Sequence, residues 1–141
     1  KIKNTNIKFF FLSTRKVYRA GYNLNERSLI KPLSHYAKNK YISEKKLKKI
    51  LGNKLIILRI SNVIGYRIKT NRSLHNTFVD NFFLNIDKGY ILSTRNDYKD
   101  FISINDLCKA IYLLIKKSVY GIYNLSIGRK IYLKSIVRWL D

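Results

Sequence analysis

Short apolar runs alternate along the chain with stretches in which apolar residues recur at helical spacing. The runs at 7–12 and 55–60 are continuous, which is typical of strands buried on both faces of a parallel sheet. Between them, residues 35–51 have apolar side chains at helical spacing, with Ser34 at the expected N-cap and Gly52 after the last turn. This order predicts a strand, a helix and a second strand.

The remainder of the chain repeats the alternation with shorter elements. The pattern predicts a loop at 66–76, helices at 78–86, 105–117 and from 133 to 140, and strands at 90–93, 101–103 and 122–125. Strands that alternate with helices indicate an α/β fold with a parallel sheet. The glycine-rich strand-to-helix turn that opens a dinucleotide-binding sheet does not occur in the sequence, so we expect that half of such a sheet to lie outside this chain.

Composition narrows the class of protein. The 141 residues suit one domain, and the single cysteine excludes an internal disulfide framework and a cysteine-cluster zinc site. No apolar run reaches about 18 residues, so we expect no membrane partner. The chain begins with Lys1 rather than methionine, so we expect it to be incomplete. Residues 1–20 lack the order of a secretory signal, and we expect a cytoplasmic protein.

The net charge is +21, from 29 basic and 8 acidic residues. Such a charge is typical of nucleic-acid-binding proteins. The chain is also rich in Lys, Asn, Ile, Tyr and Phe and poor in Ala, Pro, Gly and Met, as A/T-rich codons would produce. The basic residues are spread along the sequence. We therefore attribute the charge to codon usage and expect no nucleic-acid partner, with a basic, non-catalytic polyanion-binding protein as the alternative class.

One pair of side chains in the first predicted helix suggests chemistry. Tyr36 and Lys40 are four residues apart, which places them on one helical face. An ammonium near a phenol favours the phenolate, and a tyrosine in such a pair can act as a general acid or base. The spacing is weak by itself, because Tyr112 and Lys116 repeat it.

Other segments strengthen that interpretation. Ser13 and Thr14 follow the first predicted strand, at the end of the sheet where α/β folds bind ligands. Downstream come LRISNVIG from residue 58, YKDFISIND from residue 98 and YNLSIG from residue 123.

In this order and spacing, the segments resemble the extended short-chain dehydrogenase/reductases, and among them the NAD-dependent epimerase/dehydratase family that acts on nucleotide sugars. The resemblance covers about residues 7–140. It implies the C-terminal half of a Rossmann-like doubly wound parallel sheet plus part of a smaller substrate-binding subdomain, with the glycine-rich N-terminal half absent. Residues 1–65 would then hold the sheet with the catalytic Tyr and Lys, and residues 66–141 mostly the substrate-binding portion and returning elements.

The resemblance also implies roles for individual residues. Tyr36 would be the catalytic acid/base, Lys40 would hold the nicotinamide ribose, and Thr14 would hydrogen-bond the reacting oxygen of the substrate. These three would also contact the cofactor, which is NAD or NADP, and Ser61 would lie near the nicotinamide.

For the substrate, the resemblance assigns the sugar diphosphate to Asn62 and a phosphate to Lys99, where the family usually has Arg. Asp100 and Asp106 would be structural, with Asp106 near the start of a helix.

Departures from the family pattern narrow the set of reactions that the resemblance implies. Arg15 and Lys16 occupy the positions where sugar 4,6-dehydratases have Asp and Glu, so a dehydratase is disfavoured, and so is a decarboxylase. The resemblance therefore implies epimerisation of a nucleotide sugar through a transient keto-sugar, with an NADPH-dependent dTDP-4-dehydrorhamnose-type reductase as the alternative. We expect this chain alone to be inactive, and homodimerisation of the full-length protein is left open.

The histidines and the cysteine give no site. His35 and His75 have no partner at metal-ligand spacing, so no metal is expected. Cys108 falls in the predicted helix at 105–117 beside Ala110 and Ile111, and we expect a buried, inert thiol.

Overall fold

The computed structural model describes residues 7–65, 97–117 and 119–137, with positions 81, 84, 85 and 88 between them. The loop expected at 66–76 and the strand expected at 90–93 lie outside the described residues. So do most of the helix expected at 78–86 and the last residues of the helix expected from 133 to 140.

Residues 7–65, 97–117 and 119–137 contain seven strands and three helices. The strands are β1 (Phe9–Thr14), β2 (Leu55–Ile60), β3 (Asn62–Ile64), β4 (Tyr98–Lys99), β5 (Phe101–Ser103), β6 (Gly121–Leu125) and β7 (Ile131–Tyr132). The helices are α1 (His35–Leu51), α2 (Ile104–Lys116) and α3 (Leu133–Val137), with 3₁₀ turns at Arg15–Val17 and Gly52–Lys54.

The main sheet is three-stranded and parallel, in the order β1-β2-β6. Its register places Arg59 opposite both Ser13 and Asn124. Two smaller sheets pair β3 with β5 in parallel and β4 with β7 antiparallel. The expected α/β fold with a parallel sheet is confirmed.

The two faces of β2 pack against different helices. Ile56 and Leu58 belong to a core that also contains Leu107 of α2, whereas Leu55 and Ile57 pack with Leu51 of α1. Side chains of a strand alternate between faces, so a strand covered on both sides is apolar throughout. The continuous apolar run at 55–60 therefore matches the observed burial.

The helix ends follow the expected capping chemistry. Ser34 Oγ accepts a hydrogen bond of 3.2 Å from the Ala37 N–H, and Gly52 ends α1 with a φ of +54°. At the start of α2, Ser103 Oγ accepts from the Asp106 N–H at 3.0 Å and donates to the Asp106 carboxylate at 2.7 Å. The position of Asp106 near a helix start is confirmed.

Two expectations about burial are wrong. Leu12 in β1 is 49% exposed, because β1 is an edge strand of the sheet among the described residues. Cys108 is exposed as well. It lies about 100° around the helix from Leu107, which faces the core, and so falls at the flank of the packed stripe.

Candidate active site

The strands of the parallel sheet all end at one edge. Thr14 is the last residue of β1, and Ser61 follows β2 directly, its N–H donating to the carbonyl oxygen of Leu125 at the end of β6 (3.0 Å). Thr14 is 8% exposed, and its Oγ1 accepts from the Lys16 N–H at 3.3 Å, which begins the 3₁₀ turn. The Thr14 hydroxyl is thereby fixed at the carboxyl edge.

Helix α1 attaches the Tyr–Lys pair to β1. Lys40 Nζ donates a hydrogen bond of 2.8 Å to the carbonyl oxygen of Leu12 and lies 5.9 Å from the centre of the Tyr36 ring. The same Nζ is 5.0 Å from the centre of the Phe11 ring. The Tyr36 side chain is 54% exposed. The structure therefore brings Tyr36 and Lys40 together beside the end of β1, whereas no hydrogen bond joins Tyr36 to Thr14 in the described part of the chain.

A buried ion pair lies behind these residues. Arg59 donates through Nε and Nη2 to the two carboxylate oxygens of Glu44, at 3.1 and 2.6 Å, and both side chains are 3% exposed. Ser13 Oγ donates to the same carboxylate. Helix α1 is thus joined to β1 and β2 through one carboxylate.

The Arg59 guanidinium stays charged. Burial alone lowers its pKa, but the interactions with Glu44 and Tyr18 outweigh burial, so the pKa is raised above the ordinary arginine value. The guanidinium lies 4.7 Å from the centre of the Tyr18 ring, and the Tyr18 hydroxyl donates to Asn124 Oδ1 at 2.7 Å. These contacts extend the buried pair to β6.

Sequence reasoning missed this pair, although a signal was present. Arg59 is a charged residue inside an otherwise apolar strand, and such a residue needs a buried partner. Glu44 lies about two turns after Ala37 and two turns before Leu51, on the buried stripe of α1. A search for one acid on that stripe would have found it.

Asn62 contacts Asp100, the residue that follows Lys99 in the chain. The backbone N–H and Nδ2 of Asn62 both donate to the carbonyl oxygen of Asp100, at 3.3 and 2.8 Å. The Asp100 carboxylate accepts from the N–H groups of Ile127 and Gly128, at 3.3 and 3.1 Å. The structural role expected for Asp100 is confirmed, since it holds the segment that follows β6.

A cavity of about 190 Å³ opens beside the carboxyl edge. Of the residues assigned by sequence, Ser61 and Lys99 line it, whereas Tyr36, Thr14 and Asn62 do not. The other side chains and backbone groups that line it belong to Arg15, Tyr18, Gly21, Tyr22, Asn23, Leu24, Arg59, Tyr98, Asp100, Asn124, Ser126, Gly128, Arg129 and Lys130.

Aromatic rings form one wall of this cavity. Tyr22 and Tyr98 stack with their centres 5.8 Å apart, and Lys130 Nζ lies 4.6 Å from the Tyr22 ring and 5.2 Å from the Tyr98 ring. Burial raises the pKa of Tyr98, and Tyr22 and Tyr132 add to the rise. The wall therefore keeps the Tyr98 phenol neutral, and the Lys130 side chain lies against both stacked rings.

Two features are absent from the described residues. No helix in the described ranges is long and apolar enough to cross a membrane. Within the same ranges, no group of three or more His, Cys, Asp or Glu side chains could hold a metal ion.

A parallel α/β sheet with a Tyr-x-x-x-Lys helix docked against a strand that ends in Ser-Thr defines the class of Rossmann-like, short-chain dehydrogenase/reductase domains. The sequence profile of the NAD dependent epimerase/dehydratase family matches residues 1–126, and the chain belongs to this family.

Individual proteins support the same placement. The chain is 33% identical over 92 residues to a provisionally named UDP-glucose 4-epimerase of Methanocaldococcus jannaschii, a match that covers 62% of this chain and 30% of that protein. It is 31% identical over 97 residues to the GDP-6-deoxy-D-talose 4-dehydrogenase of Aggregatibacter actinomycetemcomitans, covering 68% of this chain and 32% of that protein.

Among solved structures, the fold is similar to the UDP-N-acetylglucosamine 4-epimerase from Methanobrevibacter ruminantium M1 in complex with UDP-N-acetylmuramic acid. The TM-score is 0.77 with 27% identity, over 96% of this chain and 46% of that one. The chain therefore spans about a third of the length of the two curated relatives and under half of this structure.

The residues present fit the nicotinamide end of such a cofactor. Ser61 Oγ is buried and has no hydrogen-bond partner among the described residues. Lys40 Nζ has three donors and gives one of them to the protein, the hydrogen bond to Leu12. An ammonium beside Tyr36 with two further donors and an unpaired buried hydroxyl suit a ligand that is rich in hydroxyl and amide groups.

Proposed function

We propose that the chain supplies the catalytic part of an NAD(P)-dependent nucleotide-sugar oxidoreductase that epimerises a sugar carbon through a transient keto-sugar. One observation supports this most directly: Lys40 holds the carbonyl of Leu12, two residues before Thr14, and lies 5.9 Å from the Tyr36 ring. The arrangement puts a phenol, an ammonium and the strand bearing the Thr14 hydroxyl in one place, which hydroxyl oxidation and carbonyl reduction both require.

In this mechanism Tyr36, Thr14 and Lys40 have separate tasks. Tyr36 removes the proton from the sugar hydroxyl and later returns one to the carbonyl oxygen. Thr14 donates a hydrogen bond to the same oxygen and fixes its position. Lys40 binds the ribose hydroxyls and favours negative charge on the phenol. When bound, NAD supplies hydride transfer to and from the sugar carbon.

The diphosphate is assigned to Lys99 and Asn62. Lys99 lines the cavity at the carboxyl edge and supplies a point charge rather than the bidentate fork of an arginine. Asn62 uses its Nδ2 on the carbonyl of Asp100, so its backbone and side chain are fixed in place next to Lys99. These two residues would set the position of the sugar relative to Tyr36.

A second candidate reaction is net reduction of a keto-sugar by NADPH. It is favoured by the 31% identity to the GDP-6-deoxy-D-talose 4-dehydrogenase, a protein named for redox chemistry on a nucleotide sugar. The two reactions differ in stoichiometry. An epimerase returns the hydride to the same sugar and leaves the cofactor unchanged, whereas a reductase consumes one NADPH for each product.

Tyr36→Phe in the full-length protein tests the mechanism. We expect kcat for nucleotide-sugar turnover to fall by about 10²-fold or more, because general acid–base catalysis contributes that much. The matched control is Tyr112→Phe, since Lys116 Nζ lies 4.6 Å from the Tyr112 ring but on the distant helix α2. Equal activity of wild type and Tyr36→Phe, with the fold confirmed by circular dichroism, would refute the assignment.

A further inference from the structure

Glu44 connects helix α1 to two strands of the parallel sheet. Its carboxylate accepts hydrogen bonds from Arg59 Nε and Nη2, at 3.1 and 2.6 Å, and from Ser13 Oγ. The side chains of Glu44 and Arg59 are each 3% exposed, and Ser13 is buried as well. Ser13 lies opposite Arg59 in the register of β1 and β2, so one carboxylate meets both strands at the same level of the sheet.

These contacts lie next to the residues that carry the proposed chemistry. Glu44 follows Lys40 and Tyr36 on α1 by about one and two helical turns. Lys40 Nζ donates to the carbonyl oxygen of Leu12, and the Glu44 carboxylate accepts from the hydroxyl of Ser13. Two successive residues of β1 are therefore held by two side chains that lie one turn apart on α1.

The contact between Glu44 and Arg59 is directional. A guanidinium that donates two hydrogen bonds to one carboxylate fixes the angle between the two groups as well as their distance. Apolar contacts also attach α1 to the sheet, but Leu47 and Leu51 lie in its second half, and apolar packing is not directional. Without Ser13, both hydrogen bonds from Arg59 would remain, so Arg59 contributes most of the orientation.

Resting on the proposed function, we propose that Glu44 is a positioning residue for the Tyr36–Lys40 pair. Held by Arg59, its carboxylate sets the rotation and the height of α1 over β1, and so directs the Tyr36 hydroxyl toward the oxygen that Thr14 binds. Because Glu44 is buried, it acts through the helix and not on the substrate. Apolar side chains of similar volume can stabilise a fold as well as a buried ion pair, which makes the two roles separable.

The test replaces the ion pair without leaving a buried charge. In the full-length protein, the double variant Glu44→Leu with Arg59→Met removes both charges, and its denaturation midpoint should stay close to that of wild type. Glu44→Asp is a second variant, which keeps the charge and keeps Arg59 but shortens the side chain by a methylene group. Leu47→Ala is the control, since it removes apolar packing from the same helix and leaves the ion pair in place. Rates are measured at a temperature at which circular dichroism shows every variant to be folded.

We expect kcat for nucleotide-sugar turnover to fall by about 10- to 100-fold in the double variant, because a misplacement of about 1 Å can cost that much. KM for the nucleotide sugar should stay close to wild type, since the proposed function assigns the diphosphate to other residues. Glu44→Asp should have an intermediate kcat, and Leu47→Ala should keep the wild-type value. A loss of kcat in Leu47→Ala as large as that in the double variant would overturn the inference.

A mutant cycle with Tyr36→Phe tests whether Glu44 acts through Tyr36. In the Tyr36→Phe background, the double substitution should lower the residual rate much less than in wild type, because the group to be positioned is already gone. Equal fold-losses in the two backgrounds would overturn the inference and leave the proposed function standing.

A second readout does not require turnover. Fluorotyrosine is incorporated in place of Tyr36, and its fluorine NMR shift is compared between wild type, the double variant and Leu47→Ala. We expect the signal to move in the double variant and to stay in place in Leu47→Ala. An unmoved signal in the double variant would overturn the inference, whatever Tyr36→Phe shows about the proposed function. A moved signal in a protein whose turnover is unchanged by Tyr36→Phe would support the positioning of Tyr36 by Glu44 and contradict the proposed function.

Discussion

Ser13 and Thr14 are neighbours in β1, and their side chains lie on opposite faces of the sheet. Ser13 Oγ donates to Glu44 on the α1 side, whereas Thr14, like Phe10, alternates to the other face. Two adjacent hydroxyls therefore serve different purposes: one joins a buried network, and the other ends at the carboxyl edge.

Removal of the Thr14 hydroxyl should affect turnover, whereas removal of the Ser13 hydroxyl should affect stability. Thr14→Val removes the donor that we assign to the reacting oxygen, and we expect kcat to fall by about 10²-fold. Ser13→Ala removes one donor from a buried carboxylate, and we expect the free energy of unfolding to fall by about 1–2 kcal/mol with kcat near wild type. Urea denaturation and steady-state assays of both variants measure the contrast; a larger loss of kcat in Ser13→Ala than in Thr14→Val would contradict it.

The ion pair of Glu44 and Arg59 should be costly to break. Glu44→Gln leaves a guanidinium buried without its counter-charge, and we expect a loss of about 3–5 kcal/mol in the free energy of unfolding. Lys46→Ala, at an exposed position of the same helix, should change it by less than about 0.5 kcal/mol. Denaturant titration of the full-length protein checks both values, and similar midpoints for the two variants would show that the pair does not stabilise the fold.

Lys40 should matter more for cofactor binding than its neighbours on α1. Lys40→Met removes the ammonium beside Tyr36 and the hydrogen bond to Leu12, and we expect weaker NAD binding and a loss of about 10²-fold or more in kcat/KM. Lys38→Met removes an exposed charge from the same helix and should behave as wild type. Fluorescence titration with NADH and initial-rate assays test this, and parallel losses in the two variants would point to net charge instead.

Gly65 should not tolerate a side chain. A Cβ at this position would lie 2.5 Å from Ile104 Cγ2 and 2.9 Å from Ile104 Cβ, so the start of α2 would have to shift. We expect Gly65→Ala to lower the free energy of unfolding by about 1–3 kcal/mol. Gly21→Ala is the control, since its Cβ would meet Leu24 Cδ2 at an ordinary 3.6 Å. Thermal melting distinguishes them; a Gly65→Ala variant as stable as wild type would show that α2 can move.

Elements with strong local signals were predictable from the sequence. Helix α1 and strand β2 have the expected bounds, because an N-cap serine, a terminal glycine and an apolar run specify them locally. The two- and three-residue strands β3, β4 and β7 were not predicted. Their pairing partners lie far along the chain, as with Asn62 opposite Phe101. A strand of two or three residues is also too short to show a periodic pattern of apolar positions.

The candidate site also has parts that the sequence predicts and parts that it does not. Tyr36, Lys40 and Thr14 belong to short motifs and could be named from sequence, but their roles stay predictions. The contact of Lys40 with the carbonyl of Leu12 could not be foreseen, since it depends on how α1 docks on β1. Cys108 was misplaced because helical spacing identifies a stripe without showing how far the partner sheet covers it.

The strand order of the main sheet has a consequence for the sequence of folding events. Pairing of β1 with β2 closes a loop that α1 already shortens, whereas β6 must return from a more distant part of the chain to reach the other side of β2. The β1-α1-β2 unit should thus form before β6 docks. Since β2 alone has neighbours on both sides among the described strands, its amide protons should exchange with solvent last, at rates set by opening of the whole domain.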